Sequence, residues 1–141
     1  MANIIPFAFR GELFSGTHDF ANGGNSFKIA LYTGNPYSTS STAYTTSHEV
    51  SASNTGYTTG GKVLASQAVA SGTAVASVDF ADSALASATF TAAFAAIYND
   101  TNADKLCVVL DFGGNKTATN GTFTISFPDP STPANAIISM A

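Results

Sequence analysis

From Phe27 to Tyr32 the chain alternates, with Phe27, Ile29 and Leu31 on one side. Side chains on a pleated backbone point to opposite faces in turn, so this pattern predicts a strand with one face in a core. Residues 122–127 repeat the pattern with Phe123, Ile125 and Phe127. Residues 106–112 (LCVVLDF) form a continuous apolar run instead. That run predicts a central strand covered on both faces. Residues 62–70 and 73–80 read as two strands of a hairpin around Ser71-Gly72, with Val75 and Val78 breaking strict alternation. Residues 87–98 are harder. Their alanines, and Phe90, Phe94, Ile97 and Tyr98 at helical spacing, fit a helix. Thr89, Phe90 and Thr91 favour a pleated strand, and no charge occurs between Ser83 and Asn99 to furnish a solvated helix face. The segment therefore predicts one strand or two short ones.

Turn chemistry separates these runs: Thr33-Gly34-Asn35-Pro36, residues 99–104, Gly113-Gly114-Asn115 and Asn120-Gly121. Pro128, Pro130 and Pro133 stop pairing, and residues 136–140 can form a short last strand. The count is about eight short strands in an all-β fold, an antiparallel β-sandwich or barrel. Two stretches stand apart. Residues 37–61 are long and polar, with Tyr44, Val50 and Tyr57 as larger apolar anchors; loops of this length are usually functional or tie down an edge. Residues 1–24 crowd Ile4, Ile5, Phe7, Phe9, Leu13 and Phe14 ahead of a Gly-rich break, and the β domain follows over 25–141. So apolar a terminus must bury. It is either a short strand or helix covering the end of the core, or an arm that docks on a neighbouring subunit.

Composition narrows the functional classes. The 141 residues include five Lys or Arg and nine Asp or Glu, a net charge of −4, and 10% are charged. Ordinary globular chains carry about 25%. Ser, Thr, Asn and Gly stand in for the missing charges. Disorder would require low hydrophobicity with high net charge. A nucleic-acid binder would need a basic face to displace counterions, so no nucleic-acid partner is expected. One cysteine, Cys107, allows no intramolecular disulfide and no thiolate-rich zinc site. The start lacks a basic region and is broken by Pro6 and Arg10, so it does not read as a signal peptide. No run reaches the ~18 apolar residues of a membrane helix. No membrane partner is expected, and synthesis in a cytoplasm-like compartment is.

Candidate chemistry is thin. Asp111-Phe112-Gly113 spells the kinase metal-binding triplet without a phosphate loop or catalytic loop. Asp100, Asn102, Asp104 and Asp111 match ligand positions of a calcium loop, but Lys105 stands where that loop needs glycine. His18-Asp19 and His48-Glu49 are adjacent pairs whose side chains diverge, and both histidines are expected in solvent. Cys107, inside an apolar run, is expected to be a buried, inert thiol. The reading is a non-enzyme with no catalytic residues, cofactor or metal, built for contacts.

Several blocks resemble a family of small tailed-phage virion proteins. They are FKIALYTG at 27–34, AYTTSHEVSASNTGYTTGG at 43–61, ATFTAAFAAIYND at 88–100 and VVLDFGGNKTATNGTFTISFP at 108–128, in the family's order. Ala92-Ala93 follows Thr91 where many relatives have arginine. The resemblance implies a capsid decoration, or cement, protein with a β-sandwich of jelly-roll type. It implies a homodimer on the outer capsid surface of the virion, made in the host cytoplasm. Its partner would be the major capsid protein, and it would stabilise contacts between capsid subunits. The amino-terminal segment matches no pattern of the family; its own apolar crowding nominates Ile4, Ile5, Phe7, Phe9, Leu13 and Phe14 as the anchors. The alternative is a tail or fibre component that binds glycans through exposed Tyr37, Tyr44 and Tyr57.

Overall fold

The computed structural model describes residues 3–129 and 136–140. The predicted stops at Pro130 and Pro133 lie outside them. Strand β1 (Phe27–Tyr32) is buried on both faces. Phe27, Ile29 and Leu31 enter the larger core, while Ala30 and Tyr32 enter a smaller cluster on the other side. Strands β2 (Lys62–Val63), β3 (Ala68–Ser71), β4 (Ala76–Asp79), β5 (Ser83–Asn99), β6 (Lys105–Ile125) and β7 (Ile138–Met140) follow. They form two antiparallel sheets, β2-β1-β5-β6 and β3-β4-β7. The fold is thus all-β apart from one helix, and both sheets contribute to one apolar core.

Seven strands replace the expected eight among the described residues, for two reasons. Residues 62–70 divide. Lys62 and Val63 pair with β1, and the chain turns at Ser66 (φ 55°) so that β3 pairs with β4. Residues 105–125 fuse into one strand against β5. The supposed turns at Gly113-Gly114 and Asn120-Gly121 are bulges inside it. Ala93 of β5 faces Phe112 through Asn115 of β6, and Gly113 and Gly114 take φ values of 75° and 143°. Turns and bulges need the same positive-φ residues, so composition does not separate them. Residues 87–98 lie within β5, with Ser87 (φ 53°) at a bulge.

The amino-terminal segment is a packed helix rather than an extended arm. Helix α1 (Phe7–Phe14) follows Pro6 (φ −62°, ψ 149°). Its end is locked where the N–H of Thr17 donates to the Glu12 carbonyl (2.9 Å) and that of Gly16 to the Leu13 carbonyl (3.3 Å). Gly16 takes φ 73°, as this termination requires. Phe9 points inward and is 1% exposed. Just ahead of the helix, Ile4 and Val109 of β6 exchange two backbone hydrogen bonds (2.8 and 2.9 Å). Downstream, Phe20 stacks on Phe27 at 4.3 Å and meets Phe80 edge-on.

Candidate binding surface

The six apolar residues of the amino-terminal segment do not act as one group. Phe9 is core, and Ile4, Ile5 and Leu13 are half-buried. Phe7 and Phe14 are 61% and 88% exposed, on the outer side of α1. Arg10 lies over the Phe7 ring at 5.4 Å. Beside them is β7, the edge of its sheet, whose Met140 is also exposed. Phe14, Leu13, Ile5 and Met140 line a groove of about 320 Å³ with walls that are almost wholly apolar. A second apolar groove, about 410 Å³, lies between Leu13, Phe20, Val69 and the same β7 residues. Val69 and Met140 lie on strands the sequence predicts, but no local pattern brings those strands beside the amino-terminal segment. Exposed apolar area of this kind marks contact surfaces.

The three tyrosines of the polar segment are not exposed. Tyr37 and Tyr57 are buried, and Tyr44 stacks on Tyr98 at 4.6 Å. Their hydroxyls turn inward. Glu49 accepts from Tyr44 Oη (2.6 Å), Tyr57 Oη (2.7 Å) and the Gly60 N–H (2.8 Å). Tyr37 Oη meets Tyr32 Oη at 2.6 Å, Tyr32 donates to the Thr45 carbonyl, and Tyr98 donates to that of Gly60. All five tyrosines of the chain therefore pin residues 33–61 to the sheet. The expected exposure of Tyr37 and Tyr57 is thus corrected, because their rings fill the space between loop and strands, while Tyr44 is half-buried.

A second polar cluster lies under α1. His18, expected in solvent, is buried. Its Nε2 is 2.7 Å from Glu12 Oε2, and its Nδ1 is 3.0 Å from Asn99 Nδ2 and 3.8 Å from Cys107 Sγ. Lys105 Nζ donates to the other Glu12 oxygen at 2.8 Å. Asn99 and Cys107 come from β5 and β6, far along the chain, so adjacency to Asp19 said nothing about this environment. A cysteine beside a histidine suggests a nucleophile, but burial pushes the Cys107 thiol far up, and the Glu12 carboxylate adds to it. Catalytic thiols need the opposite shift and access. The cluster reads as a fully bonded structural network.

Burial raises the Glu12 pKa, but hydrogen bonds and charge from Lys105 and His18 outweigh it, leaving the carboxyl below its ordinary 4.5. As pH falls, the unfolded chain takes up this proton before the folded one does. The stabilisation is present above pH 4.5 and is lost as pH drops through the lowered folded value. Urea unfolding should show the midpoint falling between about pH 5 and about pH 3. The fall should be smaller in Glu12→Gln.

The remaining sequence candidates are local structure. Asn99 Oδ1 accepts the N–H groups of Thr101 and Asn102, closing the turn that resembled a calcium loop. Asp111 Oδ1 accepts the Gly113 N–H at 2.8 Å, shaping the bulge that spelled the kinase triplet. His48 is exposed. Among the described residues no helix is long and apolar enough to cross a membrane. No protein family, curated protein or solved structure gives a match to this chain.

Proposed function

We propose that the chain is a non-enzymatic structural virion protein, a capsid decoration protein with a β-sandwich of jelly-roll type. It sits as a homodimer on the outer shell, binds the major capsid protein and cements neighbouring subunits. The observation that carries this reading is the presentation of Phe7 and Phe14 on a helix clamped to the body by Phe9, beside two apolar grooves. The order of the four sequence blocks supports it. A cement acts by binding the assembled lattice and not free subunits, which shifts the assembly equilibrium by mass action. A specific contact needs roughly 1,000 Å² of total buried surface, with aromatic anchors near its centre. Multivalent attachment across the shell lets a modest affinity suffice. So few charges make binding nearly insensitive to salt, because screening acts on charged contacts.

The test is the double variant Phe7→Ser, Phe14→Ser on purified capsids. Truncating an aromatic anchor costs about 2 kcal/mol or more at a contact centre. Away from buried features, a surface change alters folding by only about 0.5 kcal/mol. The expected result is a loss of capsid occupancy with unchanged urea midpoint. Full occupancy by the folded double variant overturns the reading. Deleting residues 1–14 is a poorer test, since it also removes Phe9 from the core.

A further inference from the structure

The amino-terminal segment covers the only thiol in the chain. Cys107 is the extra residue at a β6 bulge, between the pairs Ile97–Val108 and Tyr98–Leu106, and it is wholly buried. Phe9 shares its core cluster, His18 stands against its sulfur, and Glu12 caps His18 from the far side. The ties of residues 3–18 to the body are discrete: besides the apolar packing of Ile5, Phe9 and Leu13 and the contacts of Asn99 with His18 and the Thr17 carbonyl, they are a handful of polar contacts. Asn3 Oδ1 accepts the Asp111 N–H, Ile4 pairs with Val109, and the Phe7 N–H donates to the Thr39 carbonyl. Glu12 meets Lys105, and the Thr17 carbonyl accepts from Asn102. Beyond Asp19 the chain is anchored again, by Phe20 on Phe27.

An isolated helix of eight residues, about two turns, is unstable in water, so α1 persists only while docked. Its contacts are then lost together. The β5–β6 ladder, by contrast, runs the length of both strands and does not depend on α1. Proteins open in such cooperative units, at free energies below that of global unfolding.

We infer that residues 3–18 form a strap that lifts off as a unit while both sheets stay folded, and that its lifting uncovers Cys107. Opening moves the already exposed Phe7 and Phe14 onto a tethered segment, brings Phe9 out of the core and leaves Phe20 as the fixed end. The inference stands whether or not the capsid reading holds.

A single cysteine makes the test clean. The full chain is mixed with an aromatic disulfide reagent, and thiol–disulfide exchange is followed by the coloured thiolate it releases. Phe9→Ala should speed labelling by roughly 100-fold or more. Glu12→Gln, which keeps the shape but removes the charge, should speed it by roughly tenfold. Leu85→Ala truncates the core on the far half of the β5–β6 ribbon. It should lower the urea midpoint and leave the labelling rate unchanged. Labelling that tracks the urea midpoint across all three variants overturns the inference, because the thiol is then reached only by global unfolding. So does an unchanged rate in Glu12→Gln, the variant that carries the test if Phe9→Ala does not fold.

Discussion

Raising the pH above about 10 is expected to unfold the protein, with the tyrosinate absorbance appearing in step with loss of the strand circular dichroism. Burial pushes all five phenols above their ordinary value of 10.0. Glu49 reinforces this at Tyr44 and Tyr57, which donate to its carboxylate. A raised phenol contributes stability below the unfolded value and loses it as pH climbs toward the folded one. At about pH 11, each phenol kept protonated in the fold forfeits ~1.4 kcal/mol relative to the unfolded chain. Tyr32, Tyr57 and Tyr98 together forfeit about 4 kcal/mol, and the more exposed Tyr44 adds a smaller, solvent-screened part, against a typical total of ~5–15 kcal/mol. The chain has no tryptophan, so the tyrosinate signal is unobscured. Tyrosines that titrate one by one near pH 10, ahead of unfolding, would show that the loop is not pinned as described.

Gly61→Ala should be the most damaging single substitution of a small residue. Gly61 has φ 80°, and a Cβ there would lie 1.9 Å from the Ile29 carbonyl oxygen and 2.6 Å from its carbon. Both are backbone atoms of β1, beside the Ile29–Lys62 pairing, so neither can rotate away. A left-handed alanine alone costs about 1–2 kcal/mol. Forcing the strands apart adds about 1–3 kcal/mol or more, and separates β2 from β1. Expression without a cooperative urea transition is the expected outcome. Gly113→Ala is the matched control. It has a similar φ of 75° but open space around the new methyl, so it should cost only about 1–2 kcal/mol, the strain of the left-handed backbone alone. Equal effects at the two positions would mean that the close approach to β1 is not real.

Much of this architecture was legible locally. The alternation Phe27-Lys28-Ile29 needs only a pleated backbone to be read as a strand, but the face expected to be wet is covered, with Ala30 and Tyr32 buried in a second cluster. The long polar segment between β1 and β2 was recognisable as either a functional loop or a tie, and its knots were not. The tyrosine hydroxyls find Glu49, Gly60 and Thr45 only once the loop is folded back over the sheet. The length of β6 was illegible for a different reason. Gly113, Gly114 and Asn120 supply the same φ > 0 geometry to a hairpin turn and to a bulge, and the presence of β5 alongside decides which. In the candidate surface, the crowding of Phe7, Phe9 and Phe14 marked an apolar segment. It could not say that Phe9 turns in while the other two turn out, because a helix and an extended arm distribute those side chains differently.

By itself the order of residues determined the all-β class, the strand at 27–32, the apolar character of the amino terminus and the poverty of catalytic motifs. These properties depend on neighbours within a few positions, where period and propensity act. Only the tertiary structure decided that His18 is buried against Asn99 and Cys107, 81 and 89 residues away, and that Glu12 meets Lys105 across 93. Contacts over such separations are set by how two sheets and a helix close on a shared core, and no local pattern encodes that closure.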